Sequence, residues 1–450
     1  MDDRTTLLRR FANTAYVAAL AYLERRIPFW PIERIEHLQQ HRLSSMIQHA
    51  YDTVPFYRQV MDERRLRPED FKTAADLEAL PLIDGIWVRE NTEQFLSSRY
   101  VDRPRLVLQT SSAYTYVRKL IHWDYLASFR RLICAERDRV VLNRLLGKGW
   151  GQVQLFLLPE NSVSLKMRMF WDGQTLAPRN LAHRYFLSPE RPFDEVVTQI
   201  NTVKPQVVFS YGSLAEEFFW FLAESRPQIA LPRVWMYGGD MLSKSGKKMI
   251  EETFGCMVYS TYQSVEAGKI GFQCEYREGF HLNIDLCAVR LIDESGQNVK
   301  PGQEGEVVIS NLYNRAMVLL NYRLGDLGIL ATKQCSCGRG LPLLEQLKGR
   351  VSEIIYLPNG RRIDTETLVL SFKDELGPSL LAQVSQPGPY QVLWRIVPSF
   401  TMDREGLAHR VLEKSRSIFG DVEVRVEFVE KIPRTSAGKF LRVIPFKTGN

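Results

Sequence analysis

The sequence predicts an α/β protein with parallel sheets in its central part, a β-rich part after them, and a small α+β domain at the C-terminal end. Two patterns carry this prediction. Between about residues 105 and 260, short apolar runs rich in Val, Tyr and Phe end in small or polar residues, and helical patterns follow several of them. After residue 285, alternating apolar and polar residues flank turn-rich segments. Repeated strand–turn–helix units favour a parallel sheet, and alternation favours antiparallel strands.

Residues 1–100 are predicted to be mostly helical. Within them, "FANTAYVAALAYL" (11–23) is apolar and has charged residues on both sides. Its 13 residues are too few for a bilayer span, which needs roughly 20. We therefore expect an amphipathic or docking helix and no transmembrane segment, with contact to a membrane surface as an alternative. We find no export signal, so the expected location is cytoplasmic, where thiols stay reduced.

The central segments are predicted to alternate between strands and helices. Ligands of such sheets bind at the carboxyl ends of the strands, in the turns that follow. The predicted strands are "PRLVLQ", "QVQLFLL", "PQVVFSYG", "RVWMYGGD" and "GCMVYSTY", and two predicted helices are "SLAEEFFWFLAE" and "SKSGKKMIEETFG".

The remaining elements divide into a β-rich part and a small domain. "CAVRLIDESGQNVKPGQEGEVVISNL" contains two alternating strands around turn-rich segments. From about residue 351, a hairpin, a strand, a helix and a further strand follow one another. Leu407, Val411 and Ile418 lie near one face of that helix. We predict a large domain over residues 1–350 and a small α+β domain over residues 351–450.

Composition limits the classes of partner. The 450 residues are 45% hydrophobic and 25% charged, which is enough for a large core and for two or three domains. The 59 Lys and Arg against 52 Asp and Glu give a net charge of +7. This excess suits a phosphate-bearing substrate or an acidic partner, or is a solvated basic surface. No Lys/Arg block with interleaved aromatic residues is present, so we expect no nucleic-acid partner.

Three motifs stand in order near the C-terminal end: "NYRLGDLG" (321–328), "LKGRVSEII" (347–355) and "KIPRTSAGKF" (431–440). In this order they resemble the adenylate-forming superfamily of acyl-CoA synthetases, luciferases and nonribosomal-peptide adenylation domains. The closer resemblance is to phenylacetate–CoA ligase and its relatives in capsular polysaccharide biosynthesis. This closer resemblance is carried by residues 41–83 and by the segments "FQCEYREGFHLNID" and "SNLYNRAMVLLNYRLGDLG". It covers roughly residues 40–445. It implies a large N-terminal adenylate-forming domain and a small, mobile C-terminal one.

The resemblance implies an ATP-dependent reaction in which a carboxylate attacks the α-phosphate and pyrophosphate leaves. Lys439 matches the catalytic lysine of the family, and a compact ammonium can bridge a carboxylate and a phosphate oxygen. Asp326 matches the residue that holds the ribose hydroxyls. A carboxylate suits this role because it can accept two hydrogen bonds from a diol. Arg350 matches a second nucleotide contact.

Two further segments match the family around the nucleotide. In "STYQSVEAG" (260–268), Tyr262 would stack on adenine and Glu266 would hold Mg²⁺, an ion that prefers carboxylate oxygen. "MYGGDML" (236–242) falls at the adenine and acyl-pocket turn, where Gly238 and Gly239 permit close backbone approach and Asp240 follows. These residues complete the implied ATP/AMP site.

The phosphate loop departs from the family pattern. "SSAYTYVRK" (111–119) keeps the hydroxyl residues Ser111, Ser112 and Thr115 but has Ala113 and Tyr116 where the family has glycine. Glycine there lets backbone N–H groups approach phosphate. In "YQSVE" a glycine and a hydroxyl residue of the family are likewise replaced, by Gln263 and Val265.

A set of three cysteines and one histidine indicates a zinc site, although the spacings are not those of the common CxxC finger. Cys274, His281, Cys335 and Cys337 form a Cys₃His set, which would fill all four positions of a structural Zn²⁺ ion. Some relatives of phenylacetate–CoA ligase carry zinc at matching positions. The alternative is reduced thiols and an imidazole without metal. Cys134, Cys256 and Cys287 lie in apolar runs and are predicted to be core residues.

Two functions remain open at this point. In the first, the protein adenylates a carboxylic acid and passes the acyl group to CoA, to a carrier protein or to an amine. In the second, ATP activation is lost, and the protein transfers an already activated acyl group or acts as a non-catalytic partner in a pathway. The acid cannot be read from the sequence, because pocket candidates such as Phe209, Tyr211, Trp235 and Tyr237 are equally good core residues.

Overall fold

The computed structural model describes residues 3–111, 118–147, 149, 151–176, 182–376, 381–398, 403–435 and 438–446. Of residues 3–5, 111, 118 and 182, only the backbone is described. The helices are α1 (Asp3–Glu24), α2 (Ile32–Thr53), α3 (Pro55–Glu63), α4 (Gly85–Glu90), α5 (Tyr125–Leu146), α6 (Val163–Gln174), α7 (Phe193–Val203), α8 (Gly212–Ser225), α9 (Lys244–Phe254), α10 (Thr365–Ser371), α11 (Lys373–Leu376) and α12 (Arg404–Phe419).

The strands are β1 (Arg105–Ser111), β2 (Arg118–Asp124), β3 (Gln152–Leu157), β4 (Ala182–Leu187), β5 (Val207–Ser210), β6 (Val234–Tyr237), β7 (Met257–Ser264), β8 (Gly268–Phe272), β9 (Phe280–Leu282), β10 (Cys287–Ile292), β11 (Glu304–Asn311), β12 (Tyr322–Leu330), β13 (Leu343–Arg350), β14 (Ile355–Tyr356), β15 (Arg362–Ile363), β16 (Leu381–Gly388), β17 (Gln391–Val397), β18 (Glu423–Phe428) and β19 (Val443–Ile444).

The chain divides into two compact units. The first unit comprises Met1–Gly151, Asn161–Leu181 and Ser260–Leu347. Its strands follow the order β10-β11-β12-β13-β9-β8-β7, and the pairs β10/β11, β11/β12, β13/β9, β9/β8 and β8/β7 are antiparallel. The two predicted strands around the turns at 293–303 are therefore confirmed as β10 and β11, and the structure shows that they pair antiparallel.

The second unit comprises Gln152–Glu160, Ala182–Tyr259 and Lys348–Asn450. Its parallel strands follow the order β6-β5-β3-β4, as the strand–turn–helix pattern predicts. The buried face of these strands packs against α7, α8 and α9, because each helix supplies an apolar stripe. Their core includes Leu155, Val208 and Trp235 from strands and Ile200, Phe218, Phe219 and Ile250 from helices.

Residues 351–450 contribute a second sheet and a core of their own to this unit. The sheet order is β18-β17-β16-β19. Strands β16 and β17 are antiparallel, whereas β17/β18 and β16/β19 are parallel. Leu407 and Val411 of α12 are buried against Trp394 and Ile396 of β17, and Ile418 packs against the same core. The α/β fold class with a small C-terminal α+β sheet is confirmed; the domain boundary at 350/351 stays a prediction.

One strand was placed wrongly from the sequence. "PRLVLQ" forms a strand, but β1 pairs antiparallel with β2 in a separate two-stranded sheet and is not part of the parallel sheet. The reason lies in "RKLIHWD" (118–124), whose alternating residues form the partner strand β2. Lys119, Ile121 and Trp123 are buried on one of its faces. No helix among the described residues has both the length and the apolar character needed to cross a membrane.

Candidate functional site

Glu266 lies in the turn 264–268 between β7 and β8, and the backbone of this turn is fixed by side chains from three directions. Its carbonyl groups accept hydrogen bonds from Trp123 Nε1, Asn311 Nδ2 and Tyr313 Oη, each at 3.0 Å. Because all three donors belong to the first unit, the turn is held rigidly and Glu266 has a defined position.

The Glu266 carboxylate forms a buried ion pair with Lys119 of β2. Lys119 Nζ lies 2.6 Å from Glu266 Oε1, and the side chains are only 10% and 9% exposed. The ammonium also donates to the Tyr322 hydroxyl. Burial alone would lower the pKa of Lys119, but the charge of Glu266 and the contact with Tyr322 outweigh it and the net shift is upward. The lysine is therefore a fixed cation.

Gly85, at the start of α4, allows this pair to form. A Cβ atom at position 85 would lie 2.9 Å from Lys119 Nζ and 3.2 Å from the Tyr322 hydroxyl. Asp84 caps the same helix by accepting hydrogen bonds from the N–H groups of Ile86 and Trp87. The helix start thus closes one side of the Lys119–Glu266 pair.

Tyr262 and Asp326, both predicted nucleotide contacts, lie together in the first unit. The Tyr262 hydroxyl on β7 donates to Asp326 Oδ2 on β12 at 2.8 Å. The Tyr262 ring is buried and lies tilted against Phe280, with centroids 5.9 Å apart. This hydrogen bond orients the Asp326 carboxylate, a group whose oxygen atoms can accept hydrogen bonds from a diol.

In the second unit, Lys439 lies beside the turn that follows β6. A Cβ at Gly239, whose φ is +89°, would lie 3.9 Å from Lys439 Cε and only 2.7 Å from Tyr211 Cε1. A Cβ at Gly438, whose φ is +79°, would lie 3.1 Å from Tyr211 Cε2. Both glycines are therefore required by conformation and by close approach to opposite edges of one buried ring. The structure brings the predicted catalytic lysine and the predicted Gly238–Gly239 turn together.

Asp240 connects this turn to the backbone that carries Lys439. Its carboxylate accepts hydrogen bonds from the N–H groups of Ser213 at 3.1 Å and Phe440 at 3.2 Å, and from the Ser213 hydroxyl. Burial, followed by the charge of Asp240, raises the pKa of Tyr211 to about 12, so the hydroxyl is neutral at physiological pH.

Two arginines hold the Lys439 segment against α8. Arg434 donates to the Ser213 hydroxyl at 2.7 Å and to Glu217 at 2.6 Å. Arg442 pairs with Glu216. Lys439 is thus flanked on both sides by ion pairs, which position its side chain more firmly than an unanchored loop would.

The four predicted zinc ligands form one cluster in the first unit. Their ligand atoms all lie within 4.8 Å of one another. Cys274 Sγ lies 3.7 Å from Cys335 Sγ, and Cys337 Sγ lies 3.3 Å from His281 Nε2. Tetrahedral zinc with the usual bond lengths sets S–S at about 3.8 Å and S–N at about 3.6 Å, so the donor set and its spacing fit the ion.

The electrostatic environment favours metal ligation at two of the four side chains, whereas burial raises the thiol pKa of Cys274 to about 12 and also raises that of Cys335. Burial lowers the pKa of His281 to about 4, so the imidazole is unprotonated at neutral pH and has a lone pair to offer. Its Nδ1 lies 3.4 Å from the carbonyl oxygen of Leu341, a partner that orients the ring. Burial raises the pKa of Cys337, but hydrogen bonds from Arg339 outweigh it and favour the thiolate.

Some predicted residues lie outside these groups. Ser112 and Thr115 are outside the described residues, and Ser111 is described only as the last residue of β1. Arg350 ends β13 and belongs to the second unit, whereas Asp326 belongs to the first. A shared nucleotide contact for these two residues stays a prediction. Cys134, Cys256 and Cys287 are buried, as predicted.

Sequence reasoning missed the partners of Glu266 and Lys439. Lys119 ends the segment 111–119 that matches the phosphate loop, and no motif marks Tyr322 or Tyr211 as a partner. One signal was available for Lys119. It alternates with Ile121 and Trp123, so a charged residue occupies the apolar face of a strand, a position that requires a buried partner.

The chain has distant relatives over nearly its whole length. It is 21% identical to phenylacetate–coenzyme A ligase of Thermus thermophilus, with 93% of this chain and 98% of that ligase covered. It is 23% identical to phenylacetate–coenzyme A ligase of Aromatoleum evansii, with 92% and 96% covered. Over nearly its whole length the chain is therefore distantly similar to ligases of the adenylate-forming superfamily.

A solved structure has the same fold. The crystal structure of 2-hydroxyisobutyryl-CoA ligase in a postadenylation state superimposes with a TM-score of 0.76 at 20% identity, covering 94% of this chain and 92% of that one. No sequence-family model matches the chain. The resemblance to adenylate-forming enzymes is thus confirmed by distant sequence relatives and by the fold.

Proposed function

We propose that this adenylate-forming protein activates a carboxylic acid with ATP and then passes the acyl group to an acceptor. In the first step a carboxylate oxygen attacks the α-phosphorus, the bond to the β-phosphate breaks, and pyrophosphate leaves. In the second step a thiol or amine attacks the acyl carbon, loses a proton to solvent, and expels AMP. One observation carries the proposal: Lys439 lies against the Gly238–Gly239 turn, with Asp240 accepting a hydrogen bond from the next residue.

Lys439 supplies the charge that the first step needs. Two anions, the carboxylate and the α-phosphate, must meet, and a fixed ammonium lowers the barrier by neutralising their repulsion. Because Arg434 and Arg442 anchor the backbone on both sides of Lys439, little reorganisation is needed when substrates bind. We infer that this lysine bridges the reacting oxygen atoms.

Asp326 and Tyr262 would hold the nucleoside. Asp326 would accept hydrogen bonds from the ribose hydroxyls, and Tyr262 would present its ring to adenine while its hydroxyl orients the Asp326 carboxylate. Arg350 is proposed as an additional contact. These groups bind and orient ATP, and they take no part in bond breaking.

Glu266 would hold Mg²⁺, which neutralises phosphate charge when it is bound with ATP. Carboxylate oxygen is the right donor, but Glu266 is already paired with the Lys119 ammonium. For this role the Glu266 carboxylate would have to contact the Lys119 ammonium and Mg²⁺ at the same time, or exchange one cation for the other. In either case Lys119 keeps a positive charge at this position while no metal is bound.

The Cys₃His cluster is proposed as a structural Zn²⁺ site. The ion would tie the segment that carries Cys274 and His281 to the segment that carries Cys335 and Cys337, and protein donors fill all four positions. No step of the proposed reaction passes through it.

The acceptor is proposed from the relatives. Phenylacetate–coenzyme A ligases are named for transfer to CoA. A CoA acceptor, or a carrier-protein pantetheine, also suits the net charge of +7, since both bring phosphate or acidic groups. An amine acceptor stays open. The alternative function, transfer from a pre-activated acyl donor without ATP or a non-catalytic role, is favoured only by the altered phosphate loop with Ala113 and Tyr116.

Pyrophosphate exchange separates the two functions. The full chain is incubated with ATP, Mg²⁺, labelled pyrophosphate and a panel of carboxylic acids, with acid-free reactions as blanks. The proposal predicts label in ATP that depends on at least one acid. No exchange with any acid, together with no ATP binding by calorimetry, would favour the alternative.

A further inference from the structure

Helix α1 lies with its polar side against the protein. Arg10 donates from Nε and Nη2 to backbone carbonyl groups in the segment 172–176 at the end of α6, at 2.8–3.2 Å. Asn13 donates to a carbonyl of the same segment at 2.9 Å, and the Thr14 hydroxyl accepts from one of its N–H groups at 2.7 Å. Three polar side chains therefore anchor the N-terminal half of the inward side, and the half-buried Val17, Leu20 and Ala21 continue it toward the C-terminal end of the helix.

The outward side of α1 is apolar. At about 100° per residue, the outward residues occupy one half of the helix surface, with no polar residue among them. We call this set the α1 apolar face: Leu7, Leu8, Phe11, Ala12, Ala15, Tyr16, Ala18, Ala19, Tyr22 and Leu23, all exposed. Leu8 and Phe11 are 69% and 65% exposed.

The size of this face calls for a covering partner. From Leu7 to Leu23 it runs for about 24 Å along the helix, at a rise of about 1.5 Å per residue. A continuous apolar surface of this length is rare on proteins that contact only water, and it marks an interaction site. Exposed leucine and phenylalanine side chains lose their contact with water only if something docks there.

Positive charge borders the face, and negative charge does not. Arg9, Arg25 and Arg26 are exposed at its ends, and the guanidinium groups of Arg25 and Arg26 lie 5.2 and 4.3 Å from the centre of the Tyr22 ring. Residues 4–23 contain no Asp or Glu; Asp2 and Asp3 precede them. Glu24 is buried and paired with two arginines of α5.

The charges around the α1 apolar face distinguish between two possible binding partners, a second copy of the chain and an anionic lipid surface. A second copy of the chain would bring its own arginines against Arg9, Arg25 and Arg26, and like charges repel. One helix face also offers less than the roughly 800 Å² per partner that a stable dimer buries. An anionic lipid surface attracts the arginines and accepts the apolar side chains, and tyrosines such as Tyr16 and Tyr22 favour the lipid–water boundary.

We propose that α1 docks the protein on an anionic lipid surface. The helix lies flat, with the α1 apolar face inserted among the acyl chains and the arginines among the phosphate headgroups. The hydrogen bonds of Arg10, Asn13 and Thr14 with segment 172–176 fix the orientation of the first unit on this surface. The proposal is independent of adenylation, because none of these residues belongs to the nucleotide or metal groups described above.

Vesicle co-flotation of the full chain tests the proposal. Vesicles of phosphatidylcholine alone are compared with vesicles containing about one third phosphatidylglycerol. We expect binding to the anionic vesicles that weakens with salt, and at least about tenfold weaker binding to neutral ones. The variant Leu8→Gln/Phe11→Gln/Leu23→Gln should lose binding, and Arg9→Gln/Arg25→Gln/Arg26→Gln should weaken it about tenfold or more.

A matched variant controls for general hydrophobic exposure. Val101→Gln/Leu370→Gln/Tyr390→Gln removes three exposed apolar side chains elsewhere and should bind like the unmodified chain. Circular dichroism checks that each variant is folded, and Phe11→Gln alone serves if the triple variant is not. Three results would overturn the proposal: no binding to anionic vesicles, equal binding to both vesicle types, or a concentration-dependent dimer that the face variant abolishes without any vesicle binding.

Discussion

Lys119 Nζ lies 2.6 Å from Glu266 Oε1, and neither side chain is more than 10% exposed. The resemblance to adenylate-forming enzymes implies a Mg²⁺ ligand at Glu266, and the structure shows this carboxylate already paired with a cation of the chain itself. A buried pair of this kind has two consequences. Each partner holds the other in place, and removal of either leaves an uncompensated charge.

The first prediction concerns this pair. Lys119→Met leaves Glu266 buried without its cation, and we expect the free energy of unfolding to fall by about 3 kcal/mol. Urea denaturation measures it. The double variant Lys119→Met/Glu266→Gln has no buried charge left at this position and should recover most of the loss. Equal destabilisation in the single and double variants would contradict this account, because the loss could then not come from an uncompensated carboxylate.

The second prediction concerns the glycine beside Lys439. Gly239→Ala places a methyl group 2.7 Å from the Tyr211 ring in a left-handed backbone conformation, so the turn must shift. We expect the acid-dependent exchange rate to fall about tenfold or more, because the lysine and its turn lose their alignment. Gly360→Ala is the matched control, since φ there is +80° and nothing lies within 4 Å. It should retain the exchange rate; an equal loss in both variants would assign the effect to backbone conformation alone.

The third prediction concerns the Cys₃His cluster. Purified protein should contain about one zinc ion per chain, and Cys337→Ser should contain little, because the cluster then has three strong ligands instead of four. Chelation should lower the melting temperature of the unmodified chain. Metal analysis and thermal denaturation measure these effects, with Cys256→Ser as the control, because Cys256 is a buried core residue outside the cluster. Equal zinc content in Cys337→Ser and Cys256→Ser would refute the assignment.

The fourth prediction concerns the hydrogen bond from Tyr262 to Asp326. Tyr262→Phe keeps the ring but removes a neutral donor to a carboxylate, which is worth about 1 kcal/mol or somewhat more. We expect the KM for ATP to rise about fivefold with little change in kcat, since the bond serves nucleotide binding and not bond breaking. Asp326→Asn should raise KM further. A fall in kcat with unchanged KM would place Tyr262 in the chemical step instead.

Much of the fold followed from the sequence because local patterns determined it. The apolar runs and helical patterns of the second unit became β3, β5, β6, α8 and α9, and the alternation in "VEVRVEFVE" became β18. Strand β1 was placed wrongly, because an isolated apolar run does not reveal its partner. Only the alternation in the following segment, residues 118–124, identifies an antiparallel pair.

The candidate site followed from the sequence only in part. Motif order predicted the roles of Lys439, Asp326 and Tyr262, and these roles stay predictions. The Cys₃His set predicted a zinc site, and the structure brings its four side chains together. Contacts such as Lys119 with Glu266, 147 residues apart, depend on how distant strands meet and leave little trace in local sequence. The outward orientation of α1 was equally hidden. Its apolar residues were visible in the sequence, but the side that meets the protein was not.

The most direct test of the central claim compares acid-dependent ATP–pyrophosphate exchange in the unmodified chain and in Lys439→Ala, with Lys431→Ala of the same segment as control. The account predicts that Lys439→Ala lowers the exchange rate by about 10²–10³-fold, because a preorganised charge is lost from the first step. Transfer of the acyl group from a preformed acyl-adenylate should continue, and Lys431→Ala should exchange normally. Two results would contradict the account. One is an unchanged exchange rate in Lys439→Ala, and the other is a lack of acid-dependent exchange in the unmodified chain.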